Sequence, residues 1–130
     1  MILVDTSAWV EYFRHTGSAH DERVTELIGD PQLATTEVVL MEILTGEPIE
    51  RHERVRRLLT SGTFLPLDGV NDFEAAARLH RHCRANGVTV RRLTDCLIAV
   101  VAMREGAEVL HRDRDFDLIA ACTPLRVVSV

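Results

Sequence analysis

Three aspartates fall within five positions near the end of the chain, in the stretch HRDRDFD at residues 111–117. This stretch follows the apolar EVLH and precedes the apolar LIAAC. Carboxylates gathered at one point repel one another, and oxygen ligands with room for water suit Mg²⁺ or Mn²⁺. The spacing therefore predicts a metal site built from acidic side chains.

Three further acids lie in apolar surroundings. Asp5 follows ILV, Asp95 stands at the start of an apolar segment, and Glu42 is the only charged residue in VVLMEIL. Burial of a lone carboxylate costs several kcal/mol unless the group is paired or bound to metal. Glu42 therefore needs a partner, and these acids are candidates for the same site.

Each acid also has an ordinary structural explanation. Asp5, Asp95 and Asp115 suit helix N-caps or first turns, where aspartate is common, and Glu42 can reach solvent from a helix edge. The combination favours a shared site, because the acids come from four separate segments and have no neighbouring lysine.

The segments that must position these acids alternate between two periodicities. Short apolar runs predict strands, and segments with helical spacing lie between them, while VTVRRL fits neither pattern clearly. The predicted strands are ILVD, QLATT, TFLPL, AEVLH and LRVVSV. This order predicts an α/β fold with a largely parallel sheet. Ligands bind at the carboxyl ends of such strands, which selects Asp5 and the pair Asp113 and Asp115.

The length and composition of the chain limit the classes of protein to which it can belong. The chain has 130 residues, with 46% hydrophobic and 27% charged, which predicts one globular domain over residues 1–130. No apolar run is long enough for a membrane span, so we expect a cytoplasmic protein without a membrane partner. Three widely spaced cysteines predict reduced thiols rather than disulfides or a zinc site. The net charge of −5 gives no global sign of nucleic-acid binding.

Four stretches together resemble a known family. They are VDTSAWVEYFR, EVVLMEILTG with Glu42, TDCLIAVVA with Asp95, and HRDRDFD with Asp113 and Asp115. In their order and spacing they resemble the PIN domain, and specifically the VapC-type ribonuclease toxins of bacterial toxin–antitoxin (VapBC) pairs. The resemblance covers essentially the whole chain and implies a PIN-like three-layer fold with a central, mainly parallel sheet flanked by helices.

The resemblance also implies an activity, that of a Mg²⁺-dependent endoribonuclease that inhibits translation and growth by cleaving RNA such as tRNA or rRNA. The catalytic acids are then Asp5, Glu42, Asp95 and Asp113, and Asp115 joins Asp5, Asp95 and Asp113 as a metal ligand. Ser7 matches a family hydroxyl that supports the first aspartate, and it also suits a helix N-cap. His111 departs from the family pattern, so we leave it outside the catalytic set.

RNA and protein partners follow from the same resemblance. A polyanion over an acidic site needs cations at its rim, and Arg91, Arg92 and Arg112 are the candidates, whereas the arginines of RHERVRR suit a solvated helix face with glutamate partners. The family implies a VapB-like antitoxin seated near the first helix, and a homodimer.

Other classes fit less well. A haloacid dehalogenase-like phosphatase needs a second aspartate two residues after the first, where this chain has Ser7. A receiver domain needs a lysine, and this chain has none. A catalytically silent PIN-like scaffold that binds metal and a partner stays open as an alternative.

Overall fold

A computed structural model describes residues 1–130. It contains five short strands and seven α-helices. The strands are β1 (Ile2–Val4), β2 (Leu33–Thr35), β3 (Thr63–Phe64), β4 (Glu108–Leu110) and β5 (Arg126–Val127). The helices are α1 (Thr6–Phe13), α2 (Ala19–Leu27), α3 (Glu37–Thr45), α4 (His52–Leu59), α5 (Gly69–Ala85), α6 (Leu93–Glu105) and α7 (Arg114–Cys122).

The strands form one parallel sheet, as the sequence predicts, and their order is β3-β2-β1-β4-β5. β1 pairs with β2 on one side and with β4 on the other, so the chain reverses its direction of travel across the sheet at β1. Ligand sites in parallel sheets lie outside the carboxyl ends of the strands at such a reversal. The ends of β1 and β4 therefore define where a site should form.

The core packs between the sheet and its flanking helices. β1 and β2 are fully buried, and the largest side chains hidden from solvent include Trp9 of α1 and Phe116 of α7. α6 contributes an unbroken buried run from Asp95 to Ala102, which explains why its sequence is apolar on every side. α1 begins directly after Asp5 and α7 directly after Asp113, and Asp95 lies in the first turn of α6.

Several elements differ from their predicted extent, and LRVVSV forms only the two-residue strand β5. TFLPL forms only the two-residue strand β3, because Pro66 lacks the N–H that a longer ladder needs. The helix predicted for RHERVRR begins as a 3₁₀ turn at Ile49–Arg51 before α4. Gly62 precedes β3 in tight contact with β2, and a Cβ there would lie 2.1 Å from the Leu33 carbonyl oxygen. VTVRRL forms no strand, and α6 starts at its last residue.

All three cysteines are free thiols, and Cys83 and Cys96 are buried, as the sequence predicts. No helix combines the length and the apolar character that crossing a bilayer requires.

Candidate metal centre and active site

The carboxyl ends of β1 and β4 bring Asp5 and Asp113 to the same edge of the sheet. The backbone N–H of Asp5 donates to the Leu110 carbonyl at 2.9 Å, which ties the two strand ends together. Both aspartates are also helix N-caps, since Asp5 accepts from the Ser7 N–H and Asp113 from the Asp115 N–H. A role as helix N-cap and a role in the site are therefore compatible for both aspartates. The capping hydrogen bonds fix the positions of their carboxylates.

Ser7 links Asp5 to the β4 end. Its hydroxyl donates to Asp5 Oδ2, and its oxygen accepts the backbone N–H of Arg112 at 2.9 Å. Ser7 is not the N-cap of α1, because Asp5 has that position. Burial raises the pKa of Asp5 above its ordinary value, although the hydrogen bonds from Ser7 oppose the rise.

Glu42 finds its partner in Thr6. The Thr6 hydroxyl donates to Glu42 Oε1 at 2.9 Å, so α1 and α3 are joined beside the Asp5 carboxylate. Glu42 is half-buried, and burial followed by the nearby negative charge of Asp5 raises its pKa despite the Thr6 hydrogen bond. The sequence indicated that Glu42 needs a partner but did not identify Thr6, which stands next to Asp5 in the chain.

Asp95 is a buried acid with a carboxylate oxygen that no donor satisfies. It lies in the first turn of α6 with 1% of its surface exposed, and its Oδ2 has no hydrogen-bond donor. The closest ion-pair contact of that oxygen is Arg92 Nε at 3.7 Å, which is too long for a hydrogen bond. Burial, and next the charge of Asp5, raise the pKa of Asp95 to about 7. A buried carboxylate oxygen without a donor indicates a ligand position.

Two arginines neutralise the acids that follow β4. Arg91 donates from Nε to Asp115 Oδ2 and from Nη2 to Asp113 Oδ1, each at 3.0 Å. Arg92 donates from Nη2 to the other Asp113 oxygen at 3.0 Å. Burial raises the pKa of Asp113, but the Asp115 N–H and the two guanidinium groups outweigh it, so the pKa is lowered overall.

Arg112 also has an acidic partner, since its guanidinium contacts Glu11 of α1. All three arginines predicted to face RNA therefore lie at the site's rim and bind carboxylates there. The absence of a neighbouring lysine, which was part of the sequence argument, does not leave the acids without cations.

The acidic set meets the requirements of a divalent cation. One oxygen from each of Asp95, Asp113 and Asp115 lies within 4.8 Å of the others. The donors are all hard oxygens, and Asp95, which belongs to the set, has an Oδ2 without a hydrogen-bond donor. Hard carboxylate oxygens at this separation suit Mg²⁺ or Mn²⁺ better than softer metals. Asp5 lies near enough for its charge to raise the pKa of Asp95.

His111 lies under the loop that bears Asp113. Its Nδ1 accepts the Asp113 backbone N–H at 3.1 Å, and its Nε2 lies 3.2 Å from Asp117 Oδ1. The ring is 7% exposed and packs against Phe116, with centroids 5.2 Å apart. His111 therefore supports the backbone of the loop, and we assign its imidazole no catalytic role.

Comparisons with known proteins agree with this geometry. A profile of the PIN domain matches residues 2–121. Ribonuclease VapC11 of Mycobacterium tuberculosis is 46% identical over 132 residues, covering 99% of this chain and 98% of the relative. Among solved structures, VapBC2 from Rickettsia felis bound to a DNA fragment from their promoter superposes with a TM-score of 0.73 at 17% identity, over 98% of each chain.

A second solved relative has higher identity. VapBC-5 of Mycobacterium tuberculosis, from the VapBC family of toxin–antitoxin systems, gives a TM-score of 0.59 at 25% identity. The match covers 98% of this chain and 97% of the VapBC-5 chain. The chain therefore belongs to the PIN-domain family and, within it, to the VapC group.

Proposed function

We propose that this protein is a divalent-cation-dependent endoribonuclease, the toxin of a toxin–antitoxin pair. The observation that carries the proposal is the buried Asp95, which has a carboxylate oxygen without a donor and lies in one group with Asp113 and Asp115. The name of its relative, ribonuclease VapC11, supports RNA as the substrate. Cleavage of an RNA that translation needs, such as tRNA or rRNA, would then stop growth. Such a toxin acts in the cytoplasm.

In this proposal Asp5, Asp95, Asp113 and Asp115 hold Mg²⁺, with Mn²⁺ as a substitute, and Glu42 completes the catalytic acids. When bound, the cation supplies an acidified water and a counter-charge for the phosphoryl oxygens. Ser7 fixes the orientation of the Asp5 carboxylate through its hydroxyl.

Glu42 forms no salt bridge, and its hydrogen-bond partner is the neutral Thr6 hydroxyl. Its raised pKa and its hydrogen bond to Thr6 suit a group that accepts a proton from the attacking water. With water as the nucleophile and the 3′-oxygen as the leaving group, a P–O bond to water forms and the P–O3′ bond breaks, which leaves a 3′-hydroxyl on one fragment and a 5′-phosphate on the other. Arg91, Arg92 and Arg112 line the path by which the RNA backbone approaches, although carboxylates already offset much of their charge.

The test is incubation of the purified, antitoxin-free protein with total bacterial RNA in Mg²⁺ or in EDTA, followed by sequencing of the new 5′ ends. We expect discrete cuts that require the cation and bear 5′-phosphates. Asp95→Asn should abolish them while circular dichroism stays unchanged. Intact RNA from folded protein in Mg²⁺ would overturn the nuclease proposal and favour a silent scaffold.

We also propose a VapB-like antitoxin as the partner, seated beside α1. A groove of about 500 Å³ between α1 and α4 is lined by apolar and basic side chains, among them Tyr12, Phe13, Arg54 and Leu58. Apolar walls with exposed arginines fit a segment that presents both apolar and acidic side chains. Arg54→Glu should weaken copurification with the proposed antitoxin, and Arg81→Glu on α5 should not.

The protein is further proposed to form a homodimer, as solved relatives belong to toxin–antitoxin assemblies. Light scattering of the antitoxin-free protein tests this directly. A mass of 14.6 kDa at all concentrations would contradict it.

A further inference from the structure

The arginines near the acidic site differ in how much of their charge is free. Arg91, Arg92 and Arg112 each bind at least one carboxylate, so their net attraction for a phosphate is reduced. A polyanion that approaches a cluster of acids needs a cation whose charge is not already offset. The arginine that meets this requirement is Arg114.

Arg114 is the first residue of α7 and stands between Asp113 and Asp115 in the chain. It is exposed, and its side chain is absent from the ion pairs and hydrogen bonds of the structure. The carboxylates of Asp113 and Asp115 on either side are both bound by Arg91, whereas the Arg114 guanidinium pairs with neither. The charge of Arg114 is therefore available at the edge of the site without competing for the acids.

Two cavities flank the acids, and Arg114 lines both. One, of about 470 Å³, includes Arg91 and Asp115 in its wall. The other, of about 430 Å³, includes Arg112 and Asp113. Each cavity thus contains one carboxylate of the proposed metal site and one arginine besides Arg114. Arg114 is the residue that the linings of the two cavities share.

We propose that Arg114 binds a backbone phosphate of the RNA and guides the strand from one cavity to the other across the acidic site. This inference rests on the proposed ribonuclease function. An RNA strand passing Asp113 and Asp115 would meet the guanidinium of Arg114 at the position between the two cavities. The contact is to phosphate, so it contributes affinity without selecting a base.

The inference predicts how binding depends on salt. Loss of one phosphate contact on single-stranded nucleic acid lowers the slope of log Kd against log salt by about 0.7. Arg114→Gln should therefore weaken RNA binding about three- to tenfold at low salt and reduce the slope by that amount. Arg114→Lys keeps the charge and should restore most of the affinity.

Arg81→Gln is the matched control, because Arg81 on α5 is also exposed, makes no ion pair and lines neither cavity. It changes net charge by the same amount and should leave the affinity and slope near those of the parent. Arg112→Gln provides a second comparison and should have the smaller effect of the two site arginines, since Glu11 already offsets its charge.

Two measurements carry the test. The first is fluorescence anisotropy of a labelled single-stranded RNA of mixed sequence, about a dozen nucleotides long, with every variant also bearing Asp95→Asn so that the probe stays intact in Mg²⁺. The second is single-turnover cleavage of total bacterial RNA by the variants without Asp95→Asn. Arg114→Gln should raise the protein concentration at half-maximal rate and leave the maximal rate and the Mn²⁺ affinity unchanged.

The outcomes separate the two proposals. If Arg114→Gln behaves as Arg81→Gln in both measurements while the parent binds and cleaves RNA, the assignment of Arg114 is wrong and the ribonuclease proposal stands. If the maximal rate falls at unchanged affinity, Arg114 is not a phosphate-binding residue. If the folded parent neither binds nor cleaves RNA, both proposals fall.

Discussion

Thr6 holds Glu42 in place across 36 positions of sequence, by a hydrogen bond of 2.9 Å from its hydroxyl. The bond joins the start of α1 to the last turns of α3 and opposes the burial that raises the Glu42 pKa. Glu42 therefore depends on a residue that stands beside another site acid, and changes at Thr6 should affect both its orientation and its protonation.

Thr6→Val removes this hydroxyl while keeping the side chain's shape. We expect a loss of about 10- to 100-fold in RNA cleavage, the range seen when supporting hydrogen bonds at metal sites are removed. The pH at which activity appears should also move upward, because the hydrogen bond that lowers the Glu42 pKa is lost. The measurement is cleavage rate against pH. Thr25→Val on α2, away from the acids, is the control, and equal pH profiles would refute the role of Thr6.

Asp95 should make the stability of the protein in EDTA depend on pH. Its pKa rises from 3.8 to about 7 on folding, so between these values the folded state binds more protons than the unfolded state. The free energy of unfolding therefore falls as pH rises through this window, by at most about 1.4 kcal/mol per pH unit. The contribution is fully present below pH 3.8 and lost above pH 7.

Asp95→Asn cannot ionise at this position. Urea unfolding in EDTA should show a flatter pH dependence than the parent between about pH 4 and pH 7, read as about a one-proton difference in slope at the centre of that range. At pH 8 the variant should be the more stable of the two. A variant that is less stable than the parent at pH 8 would mean that the Asp95 carboxylate is satisfied within the chain.

Ser7→Ala tests the support of Asp5. The variant loses the hydroxyl that donates to Asp5 and accepts the Arg112 N–H, so the carboxylate and the β4 loop lose a common anchor. We expect cleavage to fall about 10- to 100-fold and Mn²⁺ affinity to fall with it. Calorimetric titration with Mn²⁺ and cleavage assays measure the two effects. Ser61→Ala, at an exposed serine beyond α4, should keep the cleavage rate and the Mn²⁺ affinity of the parent.

Arg92→Gln should tighten cation binding. Arg92 donates to Asp113 Oδ2, which a bound cation would use as well, so the guanidinium and the cation compete. Arg92 is more than half exposed, and exposed ion pairs of this kind contribute about 0.2–1 kcal/mol, so we expect Mn²⁺ affinity to rise up to about fivefold. Arg81→Gln should not change it. Weaker Mn²⁺ binding by Arg92→Gln would show that the arginine orders the ligands instead of competing for them.

Much of the fold follows from local patterns. The alternation of apolar runs and helical periodicity predicts the five strands and their intervening helices, and the rule for parallel sheets directs Asp5 and Asp113 to one edge. The roles of single residues were harder to predict from the sequence than the order of the strands and helices. Ser7 fits the pattern of an N-cap, but Asp5 takes that position because its own side chain accepts the Ser7 N–H.

Contacts between side chains distant in sequence were not predictable. The pairing of Arg91 with Asp115 joins residues 24 positions apart and depends on the turn that precedes α6. No periodicity encodes such a pairing, and a long guanidinium can reach several acids. Likewise, Thr6 gives no sign in the sequence that it faces Glu42 rather than solvent.

The placement of β4 has a consequence for synthesis. β4 fills the position beside β1 that brings Asp113 and Asp115 to Asp5, yet the ribosome makes it long after β1, β2 and β3. A nascent chain with only these first strands has at most Asp5 and Glu42 of the acidic set. An assembled acidic site therefore requires that α7 has left the ribosomal exit tunnel, and the proposed antitoxin would have that interval in which to bind beside α1.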